Sequence, residues 1–221
     1  MVSYPPAAPP RVPLIAVDGP AASGKGTVAR ALARHYRVGH LDTGKLYRAV
    51  GLAVRLAGAR PDDAAAAARA AEHLDPALLD EPDLMSAVNA ESASIVSAHP
   101  AVRAALLARQ RAFAAHADGA VLDGRDIGTV IAPEAPAKLF VTAAPEVRAA
   151  RRAAELARGG HALPLAAVLA DILARDARDA NRAAAPLVRA PDAVLLDTSE
   201  MSIAAAVAHA IALVEARLRR R

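Results

Sequence analysis

The chain has 221 residues, 54% of them hydrophobic and 23% charged, with a formal net charge of +4. That length and balance exclude a disordered chain and suit one domain, or one domain with a modest insertion. Cysteine is absent, which excludes disulfide scaffolds, Cys-based zinc sites and thiol catalysis; with aromatics at only 2%, stacking of single-stranded bases is disfavoured as well.

Met1–Pro10 is proline-rich and lacks the basic start and apolar run of a signal peptide, so a tail without regular structure is expected there. "PLIAVDG" (Pro13–Gly19) is a short apolar run that suits a buried strand, and "TVARALARHY" (Thr27–Tyr36) follows with helical spacing of Val28, Leu32 and Tyr36. The segment Ala57–Val102 is rich in alanine and acidic residues, shows no clear strand, and reads as a small, mostly helical insertion. Beyond it, strand-like runs at Gly119–Gly124, Ala137–Ala143 and Ala193–Thr198 alternate with helical stretches at Val102–Ala117, Pro145–Arg158 and Leu165–Ala185. A last helix is expected from near Ser202. Buried strands alternating with helices predict a parallel sheet covered on both faces. The longest apolar run, "IAAAVAHAIALV", is interrupted by His209 and falls short of the ~20 residues that span a bilayer. A soluble, cytoplasmic protein is the expectation.

Between the first strand and the first helix stands "GPAASGKGT", comprising Gly19, Pro20, Ala21, Ala22, Ser23, Gly24, Lys25, Gly26 and Thr27. In that context backbone N–H groups converge on a phosphate, and the helix N-terminus adds its positive end. Gly19 and Gly24 provide the turn, Lys25 is placed for the β- and γ-phosphates, and Thr27 brings a hydroxyl near the phosphates and a metal ion. The hydroxyl arrives one residue later than usual, because Gly26 follows the lysine. The spacing predicts a nucleoside triphosphate site without naming what receives the phosphate.

Phosphoryl transfer requires cations that converge on two phosphate groups. Arg148, Arg151 and Arg152 share one helix face, and Arg175, Arg178, Asp179 and Arg182 repeat that spacing; a solvated face laced with ion pairs is the competing reading of each stripe. "GGHALP" between the two helices suits the hinge of a lid. In "LDGRDIGTV", Asp123 is placed for the water shell of a metal ion, while Arg125 and Asp126 are placed for the phosphate and polar groups of an acceptor. The seven histidines have no ligand spacing and receive no role.

Taken in order, "GPAASGKGT", "LDTGKLYRAV", "VRAALLARQRAF", "DGRDIGTVIAPEAPAKLFVTA" and "RDARDANRAAAPLV" resemble the bacterial cytidylate kinases from about Leu14 to the C-terminus. The Gly-Lys-Gly-Thr form of the loop is that of nucleoside monophosphate kinases. The resemblance implies an α/β fold: a three-layer P-loop NTPase core with a small, mostly helical NMP-binding insertion (about 40–103) and a short lid (about 153–175). It implies transfer from ATP to CMP or dCMP, with Mg²⁺, and UMP as a poorer acceptor. It places Thr43, Tyr47, Ser94, Arg103, Arg125, Asp126, Asp179 and Arg182 around CMP, and Lys25, Thr27, Arg148, Arg151, Arg152, Arg175 and Arg178 around ATP and the moving phosphoryl group. Among these, Lys25, Arg125, Arg152, Arg175 and Arg182 are the implied catalytic residues. The segment before Ser94 departs from the pattern, being too short for the small antiparallel sheet many of these enzymes carry there. A monomer without nucleic-acid or membrane partners is expected. The alternatives are a related kinase with another acceptor, and a P-loop ATPase or nucleic-acid-binding regulator.

Overall fold

The computed structural model describes residues 13–219, so the expected tail at Met1–Pro10 lies outside the described residues. In chain order the elements are β1 (Leu14–Asp18), α1 (Lys25–Tyr36), β2 (Gly39–Asp42), α2 (Thr43–Leu56), α3 (Ala64–Glu72), α4 (Ala87–Val96) and α5 (Pro100–Ala114). There follow β3 (Ala120–Gly124), β4 (Ala137–Thr142), α6 (Pro145–Arg158), α7 (Leu165–Asn181), β5 (Val194–Asp197) and α8 (Ile203–Leu218). The five strands form one parallel sheet in the order β2-β3-β1-β4-β5. β1 lies at its centre, so the chain reverses direction of winding beside it, and the carboxyl ends of β1 and β3 open onto one crevice.

The apolar runs fill both faces of this sheet. Ile15, Val17, Leu139 and Val141 pack with Val28 and Leu32 of α1 and Val214 of α8, while Leu122 and Ala16 pack with Ile127 and Ile131 on the other side. A separate apolar cluster joins α2 through α5, from Leu46 and Val50 to Val96 and Leu106. Among the described residues no strand occurs between Ala57 and Val102; α3, α4 and two 3₁₀ turns (Pro76–Asp80 and Pro82–Met85) fill that stretch, in agreement with its helical reading. No helix among the described residues is long and apolar enough to cross a membrane.

β2 and α2, which the sequence pattern does not mark, and the end of α7 differ from expectation. β2 is a four-residue edge strand, half-exposed and containing His40 and Asp42, so it has no apolar run to announce it. α7 ends at Asn181 instead of continuing to Ala185. Arg182 turns to an extended conformation, Ala185 adopts a left-handed one (φ 51°), and the Leu187 N–H returns to the Asp179 carbonyl at 2.8 Å. Arg182 therefore leaves the helical stripe and is aimed independently of Arg175 and Arg178.

The crevice is pinned by Asp18 at the end of β1. Its carboxylate accepts N–H bonds from Ile127 and Gly128, both 2.8 Å, and so fixes the single π-turn Ile127–Ile131 that follows "DGRD". Burial pushes this carboxyl up to about 6, against the pull of those two N–H groups. The folded chain thus holds the proton to a higher pH than the unfolded chain, whose ordinary value is 3.8. Ionisation of Asp18 consequently subtracts stability as pH rises from about 4 to about 6, by about 3 kcal/mol over the full window. Urea unfolding of the wild type and Asp18→Asn across that window tests this: the wild type's advantage should shrink as pH rises and level off above 6. An advantage that stays constant with pH would mean the carboxyl is already ionised at pH 4.

Candidate active site

The loop after β1 is shaped by contacts that exclude side chains. A Cβ on Gly19 would collide with the Val141 carbonyl of β4, so only glycine lets the loop cross the sheet edge. Gly24 caps α1 in a left-handed conformation (φ 89°) and Ala22 is left-handed as well (φ 58°), an uncommon state for a residue with a Cβ. In the first turn of α1 the Thr27 and Val28 N–H groups donate to the Gly24 carbonyl at 3.0 and 3.1 Å. Lys25 is held weakly by the Pro20 carbonyl, 3.4 Å away. Burial, followed by the positive charge of Arg125, pushes its ammonium down to about 8, although Asp123 and Asp42 oppose the shift.

Two cavities meet on this lysine. The first opens over the ends of β1 and β3. α2 lends it Thr43 and Tyr47, α4 lends Ser94, and α5 lends Arg103. Arg125 and Asp126 enter from the β3 end, and Arg175, Asp179 and Arg182 enter from α7 and its C-terminal turn. The second cavity runs along α1 and is bordered by Thr27, Arg151, Thr198 and Ile203. Ala22, Lys25, Gly26, Arg152 and Glu155 border both.

The first cavity interleaves opposite charges. Arg125 Nε donates to Asp179 at 2.7 Å, and burial of Asp179 is outweighed by Arg125, which holds the carboxyl below the ordinary range. Arg103 donates to Asp126, reaches the Ser97 carbonyl at 3.3 Å and lies 5.4 Å from the centre of the Tyr47 ring. Arg182 has its guanidinium 3.8 Å from both Asp126 and Asp179, and its Nε donates to the Ala185 carbonyl at 2.5 Å. Its Nη2 and the Tyr47 hydroxyl are buried without a hydrogen-bond partner among the described residues. Unspent donors in a basic cavity fit an anionic, polar ligand.

The arginine stripes divide by environment. Arg152 reaches the junction of the cavities and pairs with Glu155 at 2.9 Å. Arg151 borders the second cavity while donating to the Thr198 hydroxyl and carbonyl at 2.9 and 2.6 Å. Arg148 and Arg178 border neither cavity. Arg148 is buried, doubly bonded to Asp176 of α7 at 3.0 and 2.6 Å, and donates to the Ala143 carbonyl at 2.8 Å and the Ala21 carbonyl at 3.3 Å. Arg178 donates to the Ser94 hydroxyl at 3.1 Å, and Arg175 donates to the Ala90 carbonyl at 2.6 Å. Both therefore tie α7 to α4. Asp18, Asp176, Arg48 and His40 are additional polar groups around the site that spacing did not single out. The partners of Asp18, Asp176 and His40 lie 28 to 110 residues away, and no local pattern signals such pairings.

The donor set near the junction suits a magnesium ion carried by a nucleotide. Thr27 supplies a hydroxyl, and one oxygen of buried Asp123 lies toward Gly26, 3.6 Å from where a Cβ would stand. No group of three acidic or histidine side chains among the described residues forms a cage for a metal ion. Hard oxygen donors without such a cage match Mg²⁺, which keeps much of its water and binds through phosphates.

Comparison with known proteins follows the same line. A family model described as cytidylate kinase matches residues 15–216. A cytidylate kinase of Xanthobacter autotrophicus is 61% identical over 204 residues, covering 92% of this chain and 98% of that protein. One from Rhodopseudomonas palustris is 58% identical over 203 residues, covering 92% and 96%. Another from Rhodospirillum rubrum is 57% identical over 202 residues, covering 90% and 95%.

The depressed Lys25 ammonium makes polyphosphate binding proton-linked. Above pH 8 the free site holds a partly neutral amine, and a bound anion restores its charge, so binding takes up a proton. Calorimetric titration with ADP at pH 8.5, in buffers of different ionisation enthalpy, should show net proton uptake that Lys25→Met removes. Equal heats in all buffers would contradict the assignment of the low-lying group.

Proposed function

The chain belongs to the cytidylate kinase family, and we propose that its two cavities divide the family's reaction between donor and acceptor. The enzyme transfers the γ-phosphoryl group of ATP to CMP or dCMP, giving ADP and CDP or dCDP. The observation that carries the division is the shared border: Lys25, Gly26 and Arg152 belong to both cavities, as the point of transfer requires. The cavity along α1 takes ATP, with its β- and γ-phosphates in the loop Gly19–Thr27 against Lys25. The cavity over β3 takes the monophosphate.

In this reading Arg103, Arg125 and Arg182 neutralise the acceptor phosphate, while Thr43, Tyr47, Ser94, Asp126 and Asp179 orient its sugar and base. Arg152 and Arg175 approach the migrating group from α6 and α7. An oxygen of the acceptor phosphate forms a bond to the γ-phosphorus as the bond to the β-phosphate bridging oxygen breaks. The acceptor is already an anion at neutral pH, so no side chain needs to remove a proton. Catalysis rests on alignment and charge neutralisation. Thr27 and Asp123 would stand nearest a Mg²⁺ ion bound with ATP, which would supply neutralisation of the polyphosphate charge. Arg148 is a positioning residue, since its bonds to Ala21, Ala143 and Asp176 join the loop, β4 and α7. The stretch from mid-α6 to mid-α7 (about 153–175) forms the lid, and the region from β2 to the start of α5 (about 40–103) forms the acceptor-side insertion. Arg178 serves this geometry through Ser94 and joins α7 to the insertion.

Release of ADP from Mg·ATP should depend on the acceptor, with CMP and dCMP turned over, UMP weakly, and AMP and GMP hardly at all. Arg182→Ala removes a buried donor and should lower kcat/KM for CMP by about 10–100-fold, leaving the affinity for ATP nearly unchanged. A preference for AMP, or ADP release without an acceptor, would contradict the acceptor assignment. Unaltered CMP kinetics in Arg182→Ala would contradict the role of that residue.

A further inference from the structure

Asp123 is held from two sides. Its main-chain carbonyl accepts the Thr43 hydroxyl at 2.8 Å, and its carboxylate Oδ1 lies 2.7 Å from Nε2 of His40. His40 stands on β2 in register with Val121 of β3, so its ring crosses diagonally to the carboxylate two residues further along. A carboxylate offers only acceptors, which makes the imidazole the donor and fixes its Nε2–H form. Asp123 is nearly fully buried, its side chain 3% exposed, and the His40 side chain is 17% exposed. One carboxylate oxygen is thus occupied by the ring while Oδ2 is left toward Gly26 and the loop.

Without the ring, Oδ1 would lose its hydrogen-bond donor in a buried setting, and Lys25 is a cation whose charge already acts on Asp123. A carboxylate freed from β2 would turn toward that ammonium. Oδ2 would then no longer be held toward Gly26 and the loop, and the carboxylate would be less available to a metal ion. The hydrogen bond from His40 opposes such a turn.

We propose that His40 is a positioning residue for the magnesium ion carried by the nucleotide: by donating to Oδ1 it presents Oδ2 of Asp123 to the water shell of the ion. This rests on the reading of Asp123 given under the proposed function. Partners of a metal-ligating group typically contribute 10–100-fold in metal affinity, and a contact through water belongs at the lower end of that range.

The test is equilibrium binding of a non-hydrolysable ATP analogue, with and without Mg²⁺, to the wild type, His40→Phe, His40→Gln and Asp123→Asn. The ratio of the two affinities isolates the contribution of the metal. His40→Phe keeps a ring but has no donor, and should reduce that ratio about tenfold while metal-free binding stays within about twofold. His40→Gln restores a donor and should recover most of the ratio. If His40→Phe does not fold, His40→Leu provides the donor-free comparison. A wild-type ratio in the donor-free variant, with a reduced ratio in Asp123→Asn, would overturn the role of His40 alone. So would a His40→Gln variant as impaired as the donor-free one. A wild-type protein indifferent to Mg²⁺, or an unchanged ratio in Asp123→Asn, would overturn the reading of Asp123 and the inference built on it.

Discussion

Guanidinium groups gathered in a buried cleft repel one another, and the site persists because carboxylates are interleaved among them. Arg125 is matched to Asp179, Arg103 to Asp126, and Arg182 lies between those two carboxylates. Removing one member of such a pair leaves an uncompensated buried charge, at a cost of about 3–5 kcal/mol. The arrangement is also unsaturated, because Arg182 Nη2 and the Tyr47 hydroxyl have no hydrogen-bond partner among the described residues. A cleft stable without ligand and still short of acceptors favours an incoming phosphate. Pre-set cations also need little reorganisation when charge moves between phosphates.

The same balance of charge joins the elements that surround the site. α6 and α7 are joined through Arg148 and Asp176, with Arg148 reaching the Ala21 carbonyl in the phosphate loop. α7 is joined in turn to α4 by Arg175 and Arg178. An apolar cluster of Ala149, Leu156, Val168 and Ile172, with Ala22 and Ala87 against it, follows the same path from the loop across α6 and α7 to α4. Contacts of the loop after β1, of α6 and α7, and of α4 therefore form one continuous network.

Much of this was legible in the sequence because it is local. The apolar runs gave four of the five strands, and the Gly24-Lys25 step fell at the start of a helix as its chemistry demands. Pro145 begins α6 at its first residue and Ser202 caps α8 through the Ala205 N–H, both in agreement with the expected starts. What stayed hidden depends on partners remote in the chain. A spacing of three and four residues put Arg148, Arg151 and Arg152 on one face, yet it is packing against α7, Thr198 and the cavity junction that gives each a different environment. The end of α7 was missed because Arg182 and Ala185 leave helical geometry within an alanine-rich stretch that favours helix. β2 and its histidine were missed because a short, half-exposed edge strand has no readable period.

The central claim is that the γ-phosphoryl group passes directly between two bound phosphates at the shared border of Lys25, Gly26 and Arg152, without a covalent stop on the protein. The stereochemistry at phosphorus tests this most directly. ATP made chiral at its γ-phosphoryl group by isotopic labelling of the oxygens is turned over with CMP, and the configuration of the phosphoryl group in CDP is determined. A single in-line displacement predicts inversion. Retention would signify two displacements through a phosphorylated side chain and would contradict the account.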